Sequence, residues 1–206
     1  QLDIAKFVPA SGAASRMFKS LFEYLETDET EGSKSEFIKN FINGLPNLGF
    51  ADALDAVLTN QGASLSEASA KGVYHRIVST LLTEEGLNYG KLPKGLLLFH
   101  KYENSEVRTP VAEHFEEGKS YAMGKGESRT LHFTVSPEHL EAFESHVSEV
   151  TRTMHTSSFE VHFSTQKKTT DTIAATMENK PFENEDGSLL FRPAGHGALL
   201  ENLNEI

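Results

Sequence analysis

The residues best suited to chemistry begin with a loop of small side chains near the N-terminus. It follows a short apolar run, and its members are Ser11, Gly12, Ala13, Ala14 and Ser15. A strand that leads through such a loop into a helix lets backbone N–H groups approach a phosphate, and the helix N-terminus adds partial positive charge. Arg16, expected in the first helical turn, could pair with phosphate oxygens. The loop is neither a Walker A motif nor Gly-x-Gly-x-x-Gly, and alone it fits an ordinary tight turn with a surface arginine better than a phosphate site.

Three later segments offer further polar groups. Lys94, in a Pro-Lys-Gly tripeptide before an apolar run, is a candidate point charge for a phosphate. Gln166 follows a strand-like run, and its amide offers both a donor and an acceptor to a base edge. In the turn Gly195-His196-Gly197, glycine permits positive φ and close approach of a ligand. Taken alone, each segment is better explained by a surface residue or a structural turn.

Composition limits the partners and the chemistry. The chain has 206 residues and a formal net charge of -11 at pH 7. An acidic chain without a basic run is poorly suited to nucleic acid or to an anionic membrane, so we expect neither as a partner. The sequence has no cysteine, which excludes disulfides, thiolate metal sites and cysteine nucleophiles. It shows neither a signal peptide nor an apolar run of membrane-spanning length, and we expect a cytoplasmic protein.

Periodicity predicts the scaffold that positions these segments. Strand-like runs occupy residues 4–8, 96–99, 131–135, 159–163, 172–177 and 189–191. They alternate with amphipathic helical patterns, which predicts an α/β fold with a mainly parallel sheet and helices on both faces. Residues 27–90 carry three helical patterns and are expected to be an all-helical insertion. A turn is predicted at 185–187 and a last helix at 197–203.

Capping signals predict where several helices begin. Ser33 with Glu36 matches a capping box, and Ser66 is the predicted cap of a helix that continues past Val73. Pro110 is expected at the first position of a helix, where its missing N–H is harmless. The helix after the small-residue loop is expected to bury one face, made of Met17, Phe18, Leu21, Phe22 and Leu25.

The order of the motifs resembles that of UDP-sugar pyrophosphorylase-like nucleotidyltransferases. In that superfamily a glycine-rich loop ending in Arg is followed by Pro-Lys-Gly, a strand close to Ile-Met-Thr-Ser, Phe-x-Gln, and Gly-x-Gly before a helix. The counterparts in this chain are residues 11–16, 93–95, 132–136, 163–166 and 195–197. The chain looks closest to an uncharacterised bacterial branch, a domain of unknown function with the signatures Phe-Val-Pro-Ala-Ser-Gly-Ala-Ala and Arg-Pro-x-Gly-His-Gly-Ala-Leu.

The resemblance implies a GT-A-like, Rossmann-related sheet. It also implies transfer of a nucleotidyl group from a nucleoside triphosphate to a sugar 1-phosphate, with release of pyrophosphate. By position, the loop at 11–15 and Arg16 would hold the triphosphate, and Lys94 would neutralise charge near the attacked phosphorus. Arg16 and Lys94 are therefore the expected catalytic residues. Gln166 and the turn at 195–197 would read the base and ribose, and Mg²⁺ would bridge phosphate oxygens.

We expect residues 1–206 to form one such domain, incomplete at its C-terminus. The metal-binding Asp of the superfamily follows the Gly-x-Gly helix in an Asn-x-Asp strand, and this sequence ends at Ile206 before one. The Mg²⁺ ligand and the sugar pocket are therefore expected outside it. In addition, the helical insertion separates Arg16 from the Pro-Lys-Gly tripeptide. Three functions stay open: a nucleotidyltransferase, a non-catalytic nucleotide or nucleotide-sugar binding module, and an interaction protein that works through the insertion.

Overall fold

A computed structural model describes residues 4–28, 35–122, 129–154 and 158–206. The chain forms two compact units, the first from Gln1–Ser11 with Glu117–Ile206 and the second from Gly12–Glu116. The described residues are mixed α/β, with a three-stranded parallel sheet and several helices. The predicted α/β class is therefore confirmed.

Along the described chain, five α-helices follow one another between the first two strands, and strands alternate with α-helices further on. The strands are β1 (Ala5–Pro9), β2 (His100–Lys101), β3 (Val107–Arg108), β4 (Arg129–Val135), β5 (Phe159–Thr165), β6 (Thr172–Ile173) and β7 (Phe191–Arg192). The α-helices are α1 (Lys19–Glu26), α2 (Glu36–Gly44), α3 (Ala51–Asn60), α4 (Leu65–Ala70), α5 (Tyr74–Leu82), α6 (Pro110–Tyr121), α7 (Leu140–Thr153) and α8 (Leu200–Leu203). Single 3₁₀ turns occupy Leu45–Asn47, Lys94–Leu96, Pro137–His139, Lys168–Thr170 and His196–Leu199.

The parallel sheet of the first unit has the order β1-β4-β5, with β4 in the middle. One face is apolar, because Leu131, Phe133 and Val135 alternate along β4 and all are fully buried. The Phe133 ring stacks on Phe163 of β5 at 5.9 Å and packs against Phe143 of α7 at 6.5 Å. This aromatic layer fixes β5 and α7 around the central strand.

The second unit buries the apolar stripes of its helices in one core. On α5 the stripe consists of Ile77, Val78, Leu81 and Leu82, all at most 2% exposed. Their spacing of one, three and four residues places them on one helical face. The predicted strand at 96–99 does not form: Lys94–Leu96 is a 3₁₀ turn, and Leu97 is a buried member of this core. A short apolar run does not by itself distinguish a strand from a buried loop.

Two predictions about helix ends are wrong. The cap of α4 is Ser64, whose Oγ accepts from the Glu67 N–H at 3.2 Å while the Glu67 carboxylate accepts from the Ser64 N–H at 3.1 Å. Ser66, the predicted cap, lies inside α4, because only the spacing from Ser64 to Glu67 completes a capping box. The predicted single helix is also broken at Gly72, where φ is +71°. The predicted cap Ser33 lies outside the described residues.

Residues 172–192 form a small antiparallel arrangement separate from the parallel sheet. The Ala174 N–H donates to the Leu190 carbonyl at 2.8 Å, the Phe182 N–H to the Ala174 carbonyl at 2.8 Å, and the Leu190 N–H to the Phe182 carbonyl at 3.0 Å. Three extended runs are therefore bonded to one another in a closed ring. The predicted strands at 172–177 and 189–191 shrink to β6 and β7, which pair antiparallel. The predicted turn at 185–187 is present.

Candidate functional site

The C-terminal ends of the three parallel strands meet at one edge of the first unit. Ser11 follows β1, Ser136 follows β4 and Gln166 follows β5. The Ser136 hydroxyl donates to the Ser11 carbonyl at 3.3 Å, and the Ser11 hydroxyl donates to Gln166 Oε1 at 3.4 Å. In open α/β sheets this is the edge at which ligands bind. The fold thus joins the three strand ends through their first polar side chains.

Gln166 holds this edge together. It is 9% exposed, its N–H donates to the Val135 carbonyl at 3.2 Å, and its Nε2 donates to the Ala194 carbonyl at 3.1 Å. The structure therefore brings Gln166 next to the residue that precedes the predicted turn at 195–197. One amide hydrogen and one lone pair of the side chain remain for a ligand. The predicted base-reading role stays a prediction, and it now competes with a structural role.

A cavity of about 310 Å³ lies at this edge, and Ser11, Ser136 and Gln166 line it together with Pro137, Glu138, Lys168, Asp171 and Pro193. Asp171 is half-buried, whereas Glu138 and Lys168 are exposed. None of these three charged side chains forms a hydrogen bond or an ion pair within the described parts of the chain. The cavity thus offers two free carboxylates and one free ammonium.

The predicted turn at 195–197 overlaps the 3₁₀ turn His196–Leu199. The last helix was predicted to begin within this segment, at residue 197. Gly195 has a φ of -67°, and Gly197 does not adopt positive φ either, so the predicted positive-φ reason for these glycines is wrong. A Cβ on either glycine would meet no atom within 4 Å. The backbone is open to a close approach at this turn, but the fold itself does not require glycine at either position.

The face of β4 opposite the aromatic layer is polar, and none of the predicted site residues lies on it. Ser164 Oγ lies 2.8 Å from His132 Nε2 and 3.1 Å from Thr134 Oγ1, and it accepts from Asn202 Nδ2 at 3.0 Å. Burial lowers the pKa of His132, and the nearby His162 lowers it further. Parallel sheets are usually apolar on both faces. The alternation of polar and apolar residues along β4 was therefore a sequence signal from which this polar face could have been predicted.

The part of the small-residue loop that belongs to the second unit, residues 12–15, contacts the Pro-Lys-Gly tripeptide. Ala13 forms an antiparallel bridge with Pro93, and the Lys94 N–H donates to the Gly12 carbonyl at 3.1 Å. Two motifs about eighty residues apart in sequence are therefore adjacent in space.

Arg16 lies in a turn and not, as predicted, in the first turn of a helix, because α1 begins at Lys19. The preceding residue on the loop's inner side, Ala14, is fully buried and belongs to the core. Met17 also precedes α1, and although it was predicted to face inward it is 53% exposed. Arg16 and Lys94 are both exposed and form no side-chain bond with any described residue.

Neither a metal-binding group nor a membrane span is found in the parts of the chain that the structure describes. No three His, Asp or Glu side chains in those parts come together as metal ligands. Among the same residues, no helix has the length and hydropathy needed to cross a membrane.

The fold and the sheet edge define a mixed α/β protein with a cavity at the carboxyl end of a parallel sheet. A family model described as Domain of unknown function (DUF4301) matches residues 1–206, so the chain belongs to that family. Comparisons with curated proteins and with solved structures gave no match.

Proposed function

We propose that this chain is a nucleotidyltransferase-like domain of the GT-A type that binds a nucleoside triphosphate for transfer of its nucleotidyl group to a sugar 1-phosphate. The observation that carries the proposal is the cavity at the carboxyl edge of β1, β4 and β5, where α/β sheets bind nucleotides. A cavity of about 310 Å³ is of a size suited to a small ligand. In this proposal it takes the base and ribose. The compartment expected for such chemistry is the cytoplasm.

The glycines of the predicted loops support the proposal. Gly12, Gly195 and Gly197 have neither positive φ nor a neighbour that a Cβ would strike. Gly86, by contrast, is required by packing, since its Cβ would lie 1.8 Å from a backbone oxygen. Glycines that the fold does not need are expected where a ligand approaches the backbone closely.

The predicted phosphate-binding cations also have suitable properties. Arg16 and Lys94 are exposed and unpaired among the described residues, so no protein carboxylate competes for them. Lys94 is attached to the small-residue loop through its backbone N–H. We propose that both contact phosphates, Arg16 by paired hydrogen bonds and Lys94 as a point charge.

Calorimetric titration tests nucleotide binding directly. The chain is titrated with ATP, GTP, CTP and UTP, each with and without Mg²⁺. Saturable binding of at least one nucleotide is the expected result. If none of the four binds under either condition, the proposal is wrong.

Single substitutions test the phosphate contacts. Arg16→Ala and Lys94→Ala are each expected to weaken triphosphate binding about tenfold, because a charge-assisted contact is lost. Lys39→Ala serves as the matched control, since Lys39 is an exposed lysine on α2 and also lacks a side-chain partner among the described residues. Unchanged affinity in both test variants would remove these residues from the site.

Gln166→Ala separates base reading from scaffolding. A base-reading residue changes the ranking of the four nucleotides more than it changes their mean affinity. A uniform loss for all bases, accompanied by a lower melting temperature, would indicate that Gln166 acts only as a structural link.

An interaction protein that works through the helical insertion would need exposed apolar side chains on residues 27–90. Within the described part of the helical segment at 27–90, the large exposed hydrophobic side chain is that of Phe37. More of them lie in the first unit, among them Ile173, Met177, Phe182 and Phe191. This distribution does not favour the helical insertion as a docking surface.

One assay distinguishes a non-catalytic nucleotide-binding module from the enzyme. Only the enzyme would release pyrophosphate from a nucleoside triphosphate and a sugar 1-phosphate.

A further inference from the structure

The cavity at the sheet edge is rich in hydrogen-bond acceptors and poor in donors. The hydroxyl hydrogens of Ser11 and Ser136 are already donated within the protein, which leaves their lone pairs for a ligand. The carboxylates of Glu138 and Asp171 add acceptors that no described residue occupies. An occupant of this cavity therefore has to present several donors.

The donors that the cavity offers are few. Gln166 keeps one amide hydrogen after its bond to the Ala194 carbonyl, and Lys168 supplies the one cationic group among the lining residues. With two carboxylates and one ammonium, the lining has a negative formal charge. A phosphate is thus disfavoured in this cavity, and a neutral base with donors is favoured.

The four bases differ in the donors along their pairing edge. Guanine alone presents two adjacent donors, N1–H and the N2 amino group, next to the acceptor O6. Adenine and cytosine have a single amino donor, and uracil has a single N–H between two carbonyl oxygens. A carboxylate can accept from both guanine donors at once, and a nearby ammonium can serve O6.

Burial distinguishes the two carboxylates. Asp171 is half-buried at the end of the 3₁₀ turn Lys168–Thr170, whereas Glu138 is exposed. Hydrogen bonds to a charged group are stronger where water is partly excluded. Asp171 is also only three residues from Lys168, so both come from one short segment.

We infer that this cavity selects guanine, with Asp171 accepting from N1–H and N2–H and Lys168 donating to O6. The inference rests on the proposed function, because it names the base of the nucleotide that the domain is proposed to bind. In this inference, Lys168 and Asp171 determine which base the cavity accepts.

The first test uses the unaltered chain and compares GTP with inosine triphosphate, which lacks only the N2 amino group. GTP is expected to bind about tenfold more tightly than inosine triphosphate, and also more tightly than ATP, CTP and UTP. Equal affinity for GTP and inosine triphosphate, or a preference for UTP, overturns the guanine assignment and leaves nucleotide binding intact. Failure of every nucleotide to bind overturns the proposed function itself.

The second test exchanges the acceptor. In Asp171→Asn the amide still accepts from N1–H but now faces the N2 amino group with its own N–H. Xanthosine triphosphate, which carries a carbonyl at that position, is expected to gain about tenfold over GTP relative to the unaltered chain. Glu144→Gln is the control, since it removes one exposed carboxylate of α7 outside the cavity. If Asp171→Asn leaves the ratio of the two affinities unchanged, Asp171 does not read the base.

Discussion

Asn202 links helix α8 to the end of strand β5, and its removal gives the most direct test of the first unit's architecture. The side chain is 1% exposed, and its Nδ2 donates to Ser164 Oγ at 3.0 Å and to the Thr165 carbonyl at 2.9 Å. Among the described residues, its Oδ1 is buried without a partner. Asn202→Ala removes both donated bonds and the unsatisfied oxygen together.

The expected cost follows from these three groups. Each lost hydrogen bond contributes about 1 kcal/mol. The lost packing of a buried side chain adds to this, and removal of the unsatisfied Oδ1 of Asn202 offsets part of it. The free energy of unfolding should therefore fall by about 2 kcal/mol. For a chain of this size that corresponds to a melting temperature lower by roughly 4–8 °C.

The assay is thermal unfolding followed by circular dichroism, with Asn204→Ala as the control. Asn204 lies two residues further on, is exposed, and has the same side chain. Its replacement should change the melting temperature by about 1 °C or less. Equal melting temperatures for the two variants would refute the reasoning that Asn202 anchors α8 to the sheet.

Three further predictions concern single residues. Ser64→Ala should lower the free energy of unfolding by about 1 kcal/mol through loss of the capping box, whereas Ser66→Ala should change it by less than half of that; a larger effect at Ser66 would contradict the assigned cap. Gly86→Ala should destabilise by about 3 kcal/mol or more, because the new Cβ would lie 1.8 Å from a carbonyl oxygen of α5; a native-like denaturation midpoint would count against this packing. Burial lowers the pKa values of His132 and His146, so the unfolded chain binds protons at these side chains more readily than the folded chain does. The folded state is therefore favoured above the ordinary histidine pKa of 6.5, and this stability is lost as the pH falls below it. His146→Gln should accordingly reduce the drop in melting temperature between pH 7.5 and pH 5.5, and an unchanged drop would exclude this contribution.

The sheet was predictable because each of its strands carries a local signal. The segment at 5–9 is mainly apolar, apolar and polar residues alternate along 129–135 and 159–165, and Pro9 and Pro137 mark where two of the strands have ended. Their common carboxyl edge follows from parallel pairing alone. The positions of Ser11 and Gln166 at the same edge are therefore a consequence of local strand signals and the parallel class of the sheet.

The contents of the cavity could not be predicted in the same way. Glu138 lies in the 3₁₀ turn Pro137–His139 and Asp171 directly after the 3₁₀ turn Lys168–Thr170, and isolated carboxylates of this kind are common near any protein surface. Likewise, the bridge between Ala13 and Pro93 pairs residues far apart in sequence, and an isolated bridge leaves no periodic pattern. Long-range pairs of this kind are decided by packing and not by local propensity.

The hydroxyl of Ser164 has one hydrogen but three hydrogen-bonding neighbours. This fixes the direction in which the hydrogen bonds on the polar face of β4 run. Asn202 can only donate to it, so one lone pair is always taken. When His132 Nε2 is unprotonated, Ser164 donates to it and Thr134 donates to Ser164; when Nε2 carries a proton, both bonds reverse. The location of a single proton on one imidazole thus sets the orientation of a chain of dipoles across two strands, without any displacement of heavy atoms.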